Sequence, residues 1–262
     1  FHEDRFRHAR GGARYLLGWI FHMTTSLCTK TRDKLMKVST ATISTALFKV
    51  GLKNQFIQDV RPVSPKPGNM VGQAYTLRYI PAREDLNSLS VFQDPTHPQR
   101  VGVEEIPPGY VMIIDSRKDP RAASAGSILV TRMMKRGVAG VVTDGGFRDA
   151  PEIGQMNIPT YHNRPSAPTN LTIHQAIELN GPIGCGDVAV FPGDVIVGDQ
   201  EGVIVIPLHL VDDIAHEATE MTAFEDFVTE QVKAGAAVIG LYPATSEKAQ
   251  ADYAAWRKKA GR

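Results

Sequence analysis

One stretch constrains the fold more than any other: two apolar runs with a helical segment between them. Tyr110-Val111-Met112-Ile113-Ile114-Asp115 is continuously apolar, with turn signals on both sides. That is the pattern of a strand buried on both faces. Residues 126–136 then read as a helix, with Ser124 as its N-cap, Ile128, Leu129 and Met133 on its apolar face and Gly137 as its stop. Val138 to Thr143 is a second short buried strand. Strand, helix and strand in this order form a crossover unit, so the two strands are parallel and the connection right-handed. Parallel strands leave a sheet on the same edge, where open α/β sheets bind their ligands. The loop leading to Gly126 and the loop after Thr143 therefore converge, and the chemistry is expected there.

The rest of the chain supplies the remainder of an α/β fold. Leu35, Val38, Ile43, Leu47 and Val50 recur at helical spacing from Thr31, which predicts two helices, the second near 39–50, with Gly51 as a stop. Val71 to Ile80 alternates as a strand. Residues 83–106 are polar and proline-punctuated and read as a long loop with a short helical piece near 85–92, a length that is often functional. From Pro182, short strands joined by Gly/Asp turns follow: Val188–Phe191, Val195–Val197 and Val203–Ile206. A long amphipathic helix over about 208–234 carries Leu210, Ile214, Ala218, Met221, Phe224 and Val228 on one stripe. A polar helical tail over about 245–259 closes the chain. The division expected is an extension over 1–28, a main domain over 29–243 and the tail from 244.

Composition removes several function classes. A net charge of +1 gives no electrostatic case for nucleic acid or a membrane surface as the partner. No apolar run approaches the roughly 18 residues of a membrane helix. The two cysteines, Cys28 and Cys185, cannot build a disulfide framework, and neither belongs to a Cys-x-x-Cys pair that would hold zinc. They read as plain thiols in a reducing, cytoplasmic setting. Residues 1–28 place Arg5, Arg7, Arg10 and Arg14 before a short apolar run, in outline a secretory signal, but no small-x-small cleavage site follows. They are read as an extension outside the fold.

The two converging loops hold the candidate chemistry. Asp149 is the metal candidate, because Mg²⁺ takes one or two carboxylates and keeps several waters. Glu152, three residues on at a loop-to-helix junction, faces the same side. The glycine pair Gly145 and Gly146 implies positive φ or the close approach of another group. Arg148 suits a carboxylate or keto oxygen, since guanidinium stays charged and binds in a bidentate way. Gly126, Ser127, Ile128 and Leu129 offer backbone amides at a helix N-terminus, which accepts anions. Asp115, Arg117 and Asp144 stand at the same sheet edge as supporting groups, while His162 and His174 read as structural.

With these residues in view the chain resembles the RraA-like family, over about residues 36–243. The resemblance rests on Ser39-Thr40-Ala41-Thr42-Ile43-Ser44, Gly126-Ser127-Ile128-Leu129 and Gly137 through Gly145. It continues through Arg148-Asp149-Ala150-Pro151-Glu152 and Pro192 through Asp199. That family contains class II pyruvate aldolases acting on 4-hydroxy-4-methyl-2-oxoglutarate and the regulators of ribonuclease E activity. The resemblance implies a swivelling β/β/α domain assembled as a homotrimer or hexamer. It also implies substrate binding by Gly126 to Leu129 and Arg148, and a Mg²⁺ or Mn²⁺ ion on Asp149, with Glu152 contributing from behind or through water. The implied activity is retro-aldol cleavage of a 4-hydroxy-2-oxo acid to pyruvate, with oxaloacetate decarboxylation as a side reaction. The alternatives are a non-catalytic regulator that binds and inhibits a ribonuclease, and a lyase for a sugar-derived 2-keto acid. One departure stands out: the family carries an acid directly after the glycine, and here that residue is Ser127.

Overall fold

The computed structural model describes residues 26–262, so the extension expected over 1–28 lies outside the described residues except at its last three positions. Two helices come first, α1 (Thr29–Leu35) and α2 (Thr40–Lys49). Ser39 starts the second: its Oγ accepts a hydrogen bond from the Thr42 N–H at 3.1 Å. Strand β1 (Arg61–Pro62) precedes β2 (Met70–Pro81), the strand on which the sheet is built.

Twelve residues make β2 long enough to serve three neighbours. Along one side it pairs in parallel with β3 (Tyr110–Asp115). On the other side its first residues pair with β12 (Val195–Gly198) and its last with β9 (His174–Leu179), both antiparallel. The full order is β1, β7 (Thr160–His162), β5 (Gly140–Thr143), β3, β2, β12, β13 (Val203–Ile206), with β9 beside the far end of β2. The segment just before β1 also hydrogen-bonds to β13, Ile57 N–H donating to Val203 O at 2.9 Å. One stretch of chain thus ties the two ends of the strand order together, and the sheet is nearly closed.

Burial on both faces explains the uninterrupted apolar runs. Met112 and Ile114 of β3 pack with Tyr75, Leu77, Tyr79, Val130 and Met133 against the layer of α3 (Pro98–Glu105) and α4 (Ser127–Lys135). Val111 and Ile113 point the other way, toward the hairpin of β10 (Ile183–Cys185) and β11 (Val188–Val190). A third cluster joins Val195, Val197, Ile204 and Ile206 to α1, α2 and α6 (Val211–Lys233). This is the β/β/α arrangement implied by the family resemblance. Helix α7 (Glu247–Ala260) lies against α6 through Phe224, Phe227, Tyr253 and Trp256.

The crossover is as predicted, with β3 and β5 parallel and adjacent and α4 between them in the chain. Two local expectations are corrected. Residues 83–106 are not one loop with a helical piece near 85–92: a 3-10 turn at Leu89–Gln93 is followed by α3. Pro98 opens that helix, where its missing N–H leaves no bond unmade. Nor does Ser124 cap α4; Gly126 holds that position, and Ser124 sits two residues earlier in strand β4 (Ala123–Ala125).

Candidate active site

The loops that leave β3 and β5 do not hang free. With the segment that follows β7 they form a second, three-stranded parallel sheet of β4, β6 (Gly146–Phe147) and β8 (Arg164–Pro165). β4 delivers the chain to Gly126 and the start of α4, and β6 delivers it to Arg148 and Asp149. The Arg148 N–H donates to Ala125 O at 3.1 Å, which fixes one delivery against the other.

The glycines make this closeness possible. A Cβ on Gly126 would stand 2.7 Å from Cγ of Arg148 and 3.0 Å from Oδ2 of Asp149. A Cβ on Gly145 would meet Ser116 Cβ at 2.6 Å, and one on Gly146 would meet Ser166 Cβ at 2.6 Å. Of the two explanations offered for the glycine pair, close approach is the one observed, since neither residue has positive φ.

Asp149 is the residue under backbone strain. Its φ of 57° and ψ of 31° lie in the left-handed region at the N-cap of the one-turn helix α5 (Ala150–Ile153). Asp tolerates that region better than most residues, and strained positions gather at functional sites. Its side chain does not cap its own helix. Instead Oδ2 accepts from the Ser127 N–H at 3.2 Å and from Ser127 Oγ at 3.3 Å. Arg148 Nε lies 3.8 Å from the same oxygen. Ser127 N–H is thus spent on Asp149 and Leu129 N–H on Gly126 O, which leaves the Ile128 N–H without a partner among the described residues.

These groups open onto a cleft of about 270 Å³. Gly126, Ser127, Ile128, Leu129, Arg148 and Asp149 all line it. Glu152 does not; it is exposed on the following turn, its N–H donating to Asp149 O. Sequence reasoning missed the rest of the lining, which includes Phe92, Gln99, Arg100 and Asn170. The available signal was the unusual length of the 83–106 segment.

Behind the cleft, buried polar groups hold the loops. The hydroxyls of Ser116, Ser124 and Thr143 form a chain, with Ser116 to Ser124 at 2.7 Å and Ser124 to Thr143 at 2.6 Å. Thr143 Oγ1 also accepts from the Gly145 N–H at 2.9 Å. Asp144 takes three backbone N–H groups, from Ser116, Lys118 and Gly186. Burial still outweighs them and pushes its carboxyl up to about 6. Asp115 accepts from Arg117 N–H and Gly184 N–H, and burial raises it as well. Arg117 donates to Ile173 O at 3.0 Å. None of these three lines the cleft.

The donor set matches a loosely bound hard cation. No group of three or more His, Cys, Asp or Glu side chains clusters among the described residues, so no all-protein metal cage exists there. Asp149 alone brings a carboxylate to the cleft, and its Oδ1 is free of the contacts that occupy Oδ2. One carboxylate, with waters and ligand oxygens completing the shell, is the way Mg²⁺ is commonly held.

A carboxylate and a guanidinium thus stand beside an open helix N-terminus at the carboxyl edge of the parallel strands of an α/β protein. The chain belongs to the RraA-like (Aldolase/RraA) family, whose model matches residues 40–205. A 4-hydroxy-4-methyl-2-oxoglutarate aldolase of Thermus thermophilus is 28% identical over 122 residues, 47% of this chain and 73% of that protein. Protein DlpA of Legionella pneumophila is 23% identical over 221 residues, 84% of this chain but 33% of that one. The chain spans from 33% to 60% of the length of the first curated relatives it matches. Among solved structures, Streptomyces coelicolor RraAS2, described as an unusual member of the RNase ES inhibitor RraA protein family, superimposes with a TM-score of 0.68 at 24% identity. The superposition covers 78% of this chain and 97% of that one. An uncharacterized Pseudomonas syringae protein gives 0.70 at 21% identity, covering 82% and 97%. At these identities the structures share the fold alone.

Proposed function

We propose that the protein is a divalent-cation-dependent carbon–carbon lyase that cleaves a 4-hydroxy-2-oxo acid to pyruvate, with oxaloacetate decarboxylation as a side activity. The observation that carries this reading is the packing of Gly126 against Arg148 and Asp149, which puts an anion-binding helix end, a guanidinium and a carboxylate on one small cleft. The Ile128 N–H and Arg148 bind the pyruvyl carboxylate and keto oxygen, with Gly126 and Leu129 shaping the wall beside them. Asp149 holds the cation, Mg²⁺ or Mn²⁺, which when bound supplies a Lewis acid at the keto oxygen. As the C4 hydroxyl gives its proton to solvent water and the bond between C3 and C4 breaks, negative charge grows on that oxygen, where Arg148 stabilises it from a fixed position; a proton from water then returns to C3 and leaves pyruvate. Ser127, where the family resemblance implies an acid, orients Asp149 through two hydrogen bonds instead of moving a proton. Glu152, outside the cleft, acts at most through water. Assembly as a homotrimer or hexamer and a cytoplasmic setting rest on family membership.

The test is pyruvate release from oxaloacetate and from 4-hydroxy-4-methyl-2-oxoglutarate, with Mg²⁺ or Mn²⁺ and again with a chelator. Chelator-sensitive release is expected, and Asp149→Ala abolishes it while circular dichroism stays unchanged. Release that persists in Asp149→Ala overturns the assignment of the cation site, and no release on either substrate overturns the lyase.

A further inference from the structure

Away from the cleft, a groove of about 560 Å³ runs between α1 and α6. It shares no lining residue with the cleft of Arg148 and Asp149. Its volume falls within the roughly 300–1,000 Å³ of small-molecule sites. One wall is the outer face of α1. Lys30 and Lys34 stand one turn apart there, and Lys37 follows on the next turn, where Met36 N–H still donates to Arg32 O and Lys37 N–H to Lys34 O. Helical spacing therefore gathers the three ammonium groups on one side, over about 10 Å of axis. All three line the groove. None forms an ion pair among the described residues, although Lys34 is half-buried. Asp33, on the same wall, is exposed and pairs with none of them. Arg262, also in the lining, is already taken: its Nη1 lies 2.6 Å from Asp226 and its guanidinium over the Trp256 ring.

The floor leaves binding to those lysines. Val38 is buried, and Thr219 and Thr222 donate their hydroxyl hydrogens within their own helix, to Ala215 O at 2.7 Å and Ala218 O at 2.8 Å. A chain whose net charge is only +1 thus sets three unpaired cations against one carboxylate in a single groove. We propose that this groove binds a small oligophosphate, with Lys30, Lys34 and Lys37 as its hydrogen-bond donors. An ammonium group brings three donors and no acceptor, and it meets phosphate as a point charge. Planar carboxylates are matched by the guanidinium fork instead, and the one guanidinium here is engaged. The span of the lysines suits linked phosphates better than a single one. Three cations are too few for nucleic acid, where an interface commonly neutralises about 6–10 phosphates. Two sources share this chemistry: an inorganic oligophosphate, and the phosphate chain of a nucleotide whose base and sugar cover Val38. The site stands apart from the lyase reading and does not depend on it.

Isothermal titration of the full chain tests it, in phosphate-free buffer and without divalent cation, so that Asp149 takes no part. Inorganic triphosphate, ATP and adenosine are compared. Triphosphate and ATP are expected to bind, and adenosine is not. Tighter binding of ATP than of triphosphate identifies a nucleotide site, and equal affinities identify an inorganic one. The double variant Lys34→Gln/Lys37→Gln is expected to weaken both ligands at least about 10-fold, the scale of one charge-assisted hydrogen bond. Lys66→Gln/Lys135→Gln removes the same charge outside the groove and is expected to leave both affinities unchanged. Absence of binding, equal weakening by the two double variants, or binding that Lys34→Gln/Lys37→Gln retains overturns the site. Adenosine binding as tight as that of ATP overturns its assignment to phosphate.

Discussion

At the scale of single residues, Gly126 shows how little room the site leaves. The sequence marks it as part of an anion-accepting helix N-terminus, and the groups that come close to it are Arg148 and Asp149 of the protein itself. With φ of −126° its backbone is one that any residue adopts, so the demand for glycine is purely one of space. Gly126→Ala should push the Arg148 stem and the Asp149 carboxylate outward by a fraction of an ångström or more. Displacement on this scale costs up to about 100-fold in rate. We expect kcat/KM for pyruvate release to fall at least about 10-fold while the thermal midpoint moves by no more than about 4 °C. A fully active Gly126→Ala enzyme would show that neither side chain needs its present position.

At the scale of elements, what the sequence disclosed follows from length. Strands β2 and β3 and helix α4 are long enough for periodicity to speak, and they were legible together with the parallel crossover. The sheet of β4, β6 and β8 was not, because strands of two or three residues carry no period and are defined only by their partners. For the same reason the convergence of Gly126 with Arg148 and Asp149 could be inferred, while the wall from α3 could not. Pro95 and Pro98 read as loop punctuation, although the second starts a helix. The histidines of β7 and β9, expected as structural, are buried and do not line the cleft, and their burial has a measurable consequence. His162, stacked on Phe147, and His174, stacked on Tyr79, are each pulled down to about 4, chiefly by burial. Each is protonated first in the unfolded chain, so its contribution is whole above about 6.5 and is lost as pH falls toward 4. Asp144, raised to about 6, runs the other way: the folded chain takes up that proton first, which stabilises it as pH falls from 6 to 4. Burial lowers His97 and raises Asp115 as well, so histidines and carboxylates oppose one another over this window, and each fully shifted group moves stability by about 1.4 kcal/mol per pH unit. Urea unfolding at pH 4.5 and 6, chosen as ~4.5 and ~6 to bracket this window, should show the net change in the native protein. His162→Phe should remove the loss due to His162, and an unchanged slope in that variant would mean His162 is not what titrates.

At the scale of the whole molecule, the family match ends at residue 205, and α6 and α7 lie beyond it. The first half of α6 belongs to the core, with Ile214, Ala215 and Ala218 packed beneath β12 and β13. Its second half turns to a separate cluster with α7, where Phe224 and Phe227 meet Tyr253 and Trp256 edge-on or tilted, and Tyr253 and Trp256 stack. The helix expected as a polar tail is thus docked. Trp256 Nε1–H donates to Glu230 at 2.7 Å, and Arg257 pairs with Glu220 at 2.6 Å. No residue of this cluster lines the cleft, and none belongs to the cluster beneath α4. Stability and catalysis should therefore separate. Trp256→Ala removes the ring and its hydrogen bond from a half-buried position, a loss of about 1–3 kcal/mol, below the range for a fully enclosed aromatic. We expect a lower thermal midpoint with kcat/KM for pyruvate release unchanged below the new transition. A parallel loss of turnover would mean that α6 and α7 reach the site, and since no residue of their aromatic cluster lines the cleft, sedimentation of the variant would then show whether the helices act by holding a neighbouring copy against it.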